Sequence, residues 1–147
     1  MHRQSALTLF ELLIVIALIA LISLPLYFSY TRSQANQSLR SSTEQLKHTL
    51  ESAHVSAREA RDKKEWGVKN LDTKSFALIS GKTDNYKIEK LTTLEPLAEI
   101  DGDFEIWFDI GTGETQQEII IKLKNRYDKS STLTIYKTGV VDIDLSQ

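Results

Sequence analysis

The sequence predicts an α+β fold: a long bent N-terminal helix, apolar in its first half, packed on a C-terminal antiparallel β-sheet. Three observations predict it. Residues 7–28 form an apolar run that carries one charge, Glu11. A helical period continues through the polar stretch that follows Phe28. From about residue 63 that period gives way to short alternating runs separated by turn residues.

The apolar run is long enough as a helix, about 33 Å, to cross the hydrocarbon core of a bilayer. A carboxylate inside such a span costs roughly 3 kcal/mol on insertion scales, so Glu11 calls for a partner. Glu11 lies one helical turn after Leu7. A cut between Ala6 and Leu7 would place a new α-amine on the same helix face, or within reach of a neighbouring copy's carboxylate. Pro25 removes a backbone donor inside the run and predicts a kink there. Beyond Phe28, residues Leu39, Thr43, Leu46, Leu50, Ala53, Ala57 and Ala60 recur at alternating steps of four and three, which makes one narrow seam. Its side chains shrink from Leu to Ala, as a sheet packed closely on the last turns requires. The helix is expected to end near Asp62.

Strands are expected at Phe76 to Ser80, Tyr86 to Leu91, Phe104 to Ile110, Glu118 to Lys124, Thr132 to Lys137 and Val140 to Leu145. Alternation is clearest in Phe104-Glu105-Ile106-Trp107-Phe108, in Ile119-Ile120-Ile121-Lys122-Leu123 and in Leu133-Thr134-Ile135-Tyr136, which should lay one face on the helix. Gly81 with Asp84-Asn85 marks one turn, and Lys137-Thr138-Gly139 the tight turn of a terminal hairpin.

The 147 residues allow one modest core beyond the apolar run, and no second globular domain is needed. A net charge of −2 gives no basic field for nucleic acid. With no cysteine the chain cannot be stapled by disulfides, so packing must hold the domain.

The stretch Ala6-Leu7-Thr8-Leu9-Phe10-Glu11-Leu12-Leu13-Ile14-Val15-Ile16-Ala17 resembles the prepilin cleavage and methylation motif of type IV pilins, in which Gly precedes the cut and Phe-Thr-Leu-x-Glu follows. The resemblance implies that Ala6 is the last leader residue, Leu7 the N-methylated new terminus and Glu11 the assembly glutamate. Ala6 stands for the usual Gly and Leu7 for the usual Phe, which keeps the small-then-apolar chemistry of the site. It further implies a pilin-like architecture: leader at 1–6, transmembrane or filament-core helix at 7–28, amphipathic continuation at 29–62 and globular antiparallel β domain at 63–147. Implied partners are a prepilin peptidase, other pilin or pseudopilin subunits, an inner-membrane assembly platform and the membrane itself. The implied location is a single pass through the cytoplasmic (inner) membrane with the β domain outside the cytoplasm, followed by a filament. Trp66-Gly67-Val68, the Ile106 to Phe108 strand, Gly111-Thr112-Gly113 and the Gly139 hairpin are similar to the globular part of FimT-like minor pilins and type II secretion minor pseudopilins.

Two other readings of the N-terminus compete. Arg3 could be the positive n-region of a cleaved secretory signal, but the run exceeds the roughly 7 to 15 residues of such signals. The best small-x-small site, Ser33-Gln34-Ala35, also lies well past its end. A permanent anchor with Glu11 snorkelling to the headgroups is the other.

Chemistry beyond assembly is sparse. Gly111-Thr112-Gly113-Glu114 lacks the Lys-Ser/Thr ending of a phosphate loop and reads as a hairpin loop. Glu51 and His54 have Glu-x-x-His spacing, but metal sites of that type need ligands from further helices, so no metal and no cofactor is expected. His48 shares a solvated face with Glu44, Glu51 and Arg58. Trp66 and Trp107 are read as packing residues, and no nucleophile set points to an enzyme. A membrane-anchored binding module is the alternative function, for DNA if Lys122, Lys124, Arg126 and Lys129 meet Lys87 and Lys90 on one face, or for a surface ligand.

Overall fold

Helix α1 spans Leu9–Arg58 in the computed structural model, which describes residues 9–145. The chain forms two units that divide between Gln34 and Ala35, so α1 contributes to both. Ala6 and Leu7, with the rest of the expected leader, lie outside the described residues.

In the first unit the helix continues through Pro25. Two hydroxyls bond back to the preceding turn, Ser23 Oγ to the Ile19 carbonyl at 2.6 Å and Thr31 Oγ1 to the Phe28 carbonyl at 3.1 Å. Such back-bonding satisfies a hydroxyl that has few polar neighbours.

In the second unit the predicted seam is buried at Leu39, Thr43, Leu46, Leu50, Ala53 and Ala57. Ala60 is half-buried and lies past the last helical turn. The helix thus closes at Arg58, four residues before the expected end near Asp62. Ala60 turns left-handed at φ 48°, and the Ala57 carbonyl accepts hydrogen bonds from the backbone N–H groups of Ala60 and Gly111. Asp62 and Lys63 also have positive φ within the 3₁₀ turn Arg61–Lys63. A left-handed stop normally announces itself with glycine, and this one has none, which is why the sequence reads on.

Eight strands follow: β1 Glu65–Asp72, β2 Ser75–Lys82, β3 Asn85–Thr93, β4 Ala98–Asp101, β5 Glu105–Phe108, β6 Ile119–Asn125, β7 Ser130–Ile135 and β8 Val141–Leu145. They make two antiparallel sheets, ordered β3-β2-β1-β5 and β4-β6-β7-β8, where the sequence predicted one. β1 and β4 have no counterpart among the expected strands. β1 carries Gly67 and Asn70 inside it, and β4 is only four residues long. Gly111-Thr112-Gly113 is not a hairpin loop: β5 and β6 belong to different sheets, so this segment crosses between them. The Gly139 turn is a hairpin as expected, closed by the Gly139 N–H on the Tyr136 carbonyl at 2.8 Å.

The core lies where α1 meets both sheets. Leu46, Leu50 and Ala53 join Trp66, Val68, Phe76, Ile106 and Phe108 of the first sheet and Ile100, Ile121, Leu123, Leu133 and Ile135 of the second. Polar ties fix the helix to the loops: Ser42 Oγ accepts from the Glu95 N–H, Ser38 Oγ from the Leu97 N–H, and Asn125 Nδ2 donates to Asn36 Oδ1.

Candidate assembly segment

Apolar side chains on an isolated helix stay exposed unless something covers them, and the first unit shows this on every face. Leu9, Phe10, Leu13, Ile16, Ile19, Leu21, Leu24 and Phe28 are all exposed, from 55 to 80 % for most of the run. Water alone would not retain such a surface; lipid or packed copies of the same helix would. By length and composition α1 is the one helix among the described residues able to cross a membrane. Glu11 falls in its first turn, where a carboxylate also complements the helix dipole. Pro25 lies within the same exposed stretch. Glu11 and Pro25 are therefore placed on this segment, and Ala6 and Leu7 fall before the described residues.

The other candidates take structural parts. Glu51 faces Lys47 at 3.8 Å and His48 at 3.5 Å, while His54 turns away toward the loops. The His54 ring lies 5.7 Å from that of Phe108, in space that a Cβ on Gly113 or Gly139 would occupy. Burial, then the Arg58 charge, hold its pKa below the usual histidine value. No group of three or more His, Asp or Glu able to hold a metal is found among the described residues. Trp66 is buried and donates to the Arg61 carbonyl at 3.1 Å. Trp107 is half-buried on the opposite face of the first sheet and donates to Glu105 at 2.8 Å.

The basic residues are divided. Lys87 and Lys90 are on β3, the outer strand of the first sheet, and Lys122 and Lys124 are on β6 in the second. Lys87 pairs with Glu89 at 3.0 Å, Lys124 with Asp101 at 2.9 Å, and the Arg126 guanidinium lies over the Tyr127 ring. Hydrogen bonding to Asp101 raises the Lys124 pKa and lowers that of the aspartate, so this lysine's charge is matched within the sheet.

Residues 1–27 match the family model described as the prokaryotic N-terminal methylation motif. No curated protein and no solved structure matches the chain. The matched residues include Ala6, Leu7, Glu11 and Pro25, the positions singled out by the resemblance to type IV pilins and pseudopilins. The motif supports a prepilin-like precursor, and proteins that carry it are in general structural subunits, not enzymes.

Proposed function

We propose that this protein is a structural subunit, a minor pilin or pseudopilin, of a type IV pilus or type II secretion filament. The observation that carries this reading is the methylation motif over residues 1–27 heading an exposed apolar helix. A prepilin peptidase removes residues 1–6 on the cytoplasmic side of the inner membrane and methylates the Leu7 amine. The helix from Leu7 to Phe28 anchors the chain, and the β domain stands outside the cytoplasm. On assembly the helix leaves lipid for the filament core, where apolar faces of other subunits replace the acyl chains. Glu11 then docks on the Leu7 ammonium of an adjacent subunit and sets the register. The pair acts as a register device more than as a source of stability, because desolvation offsets much of its attraction. Pro25 lets the helix bend or loosen within the filament. An inner-membrane assembly platform supplies the work of extraction.

The test is the intact mass and N-terminal sequence of the protein isolated from membranes of cells that contain a prepilin peptidase. A chain that begins at N-methyl-Leu7 supports the proposal. A chain that begins at Met1 replaces it with a permanent anchor, and one that begins at Asn36 with a cleaved secretory signal.

A further inference from the structure

β5 alternates Ile106 and Phe108 into the core with Glu105 and Trp107 on the outward face of the first sheet. There a groove of about 440 Å³ opens between β5 and residues 115–119, within the range of roughly 300–1,000 Å³ typical of small-ligand sites. Trp107, the carboxylates of Glu65, Glu105 and Asp109, and the carboxamides of Gln116 and Gln117 line it. Among the described residues, no lysine, arginine or histidine does.

The indole of Trp107 is held in place before any ligand arrives. Its Nε1 donates to Glu105 Oε1 at 2.8 Å, and Glu105 is gripped in turn by Lys69 at 2.7 Å. Lys69 lies over the Tyr86 ring, 5.2 Å from its centre, and Tyr86 meets Trp107 edge-on at 6.3 Å. Beneath the indole, Gly67 leaves the room: a Cβ there would fall 3.1 Å from Cδ2 and Cε3 of Trp107. This closed chain of contacts covers Ala77 and Ile79, which pair with Lys69 and Gly67 on β1. Cover alone explains the aromatic rings. It does not explain the carboxylates and carboxamides that line the rest of the groove.

The geometry points to a neutral saccharide as the ligand of this groove. The C–H face of a sugar ring carries slight positive charge and complements the negative π-face of a fixed indole. Its hydroxyls both donate and accept, as a mixed wall of carboxylates, which accept, and carboxamides, which do both, requires. Anionic chains are repelled by the acidic lining. Cationic peptides find Glu105, the carboxylate bonded to the indole, already matched by Lys69. The inference stands apart from the assembly proposal, and either can fail alone.

The experiment uses the full ¹⁵N-labelled chain in dodecylphosphocholine micelles, which carry no sugar headgroup, titrated to millimolar maltohexaose, cellohexaose or chitohexaose, with tetralysine as the competitor. The expected result is that a hexasaccharide shifts the Trp107 indole N–H signal and the Gln116 and Gln117 amide signals while leaving Trp66 unmoved. Trp107→Ala should weaken binding, read from the glutamine amides, about two- to tenfold, the scale of losing one stacked aromatic. Gln116→Ala, at an exposed position where folding is not at stake, should weaken binding with the Trp107 signal still in place. Absence of a Trp107 shift with every hexasaccharide, a response to tetralysine alone, or unchanged binding by both variants overturns the proposal.

Discussion

Ser42 and Ser131 are both fully buried, and their hydroxyls meet opposite fates. Ser42 Oγ accepts the Glu95 N–H at 3.0 Å, so Ser42→Ala orphans a backbone donor and should cost about 1–3 kcal/mol. Ser131 Oγ has no partner among the described residues, so Ser131→Ala removes an unsatisfied group and should leave stability equal or higher. Urea titration of the two variants checks the contrast; equal losses would contradict it. His54 adds a pH term of known sign. Burial and Arg58 lower its folded pKa below the ordinary 6.5, so the folded state resists a proton that the unfolded chain accepts. The stabilising contribution is therefore complete above about pH 6.5 and is lost as pH falls through the lower folded value. The urea midpoint should drop more between pH 7 and pH 5 in the parent than in His54→Gln. An equal drop would place the titration elsewhere.

At the scale of elements, α1 advertises its buried face through a period of 3.6, and residues from Leu39 to Ala57 fall where that period puts them. Its end was hidden, because Ala60 takes the left-handed stop that sequence reading assigns to glycine. Ala60→Gly should relieve that strain and raise stability by about 1 kcal/mol. Calorimetry of the variant measures it, and a lower melting temperature would mean that Ala60 packing outweighs the backbone. β1 and β4 left faint traces that could have been read: Trp66, Val68 and Asn70 point inward against Glu65 and Lys69, and Ala98 and Ile100 against Glu99 and Asp101. The division into two sheets left none, since pairing partners such as Val68 and Ile106 are far apart in sequence and no local pattern selects them. The same holds for the groove. Trp107 was legible as an aromatic, but its surroundings come from β1, β3, β5 and the segment before β6, and only the fold brings them together.

The whole molecule divides its tasks along the chain. Every member of the hydrophobic core, from Leu39 to Val141, belongs to the unit that begins at Ala35, and the described apolar residues before it, from Leu9 to Tyr30, are exposed. A chain that starts at Ala35 should therefore be soluble without detergent and melt in one cooperative transition close to that of the full protein. Aggregation or a gradual melt would show that the first unit takes part in folding the second. Under the proposed function the first unit's task is association, and Glu11 is where that task can be separated from membrane anchoring. Glu11→Ala removes the only charge from residues 7–28, so insertion into the bilayer becomes easier, not harder. In the proposed filament, assembly would lose the one charged side chain of residues 7–28 that could pick out a neighbour's N-terminal ammonium among otherwise interchangeable apolar contacts. The variant should reach the membrane at parental levels, by immunoblot of the membrane fraction, and be depleted from sheared filaments. Parental levels in both fractions would mean that apolar packing alone sets the register, and that the carboxylate serves processing or dipole complementarity instead.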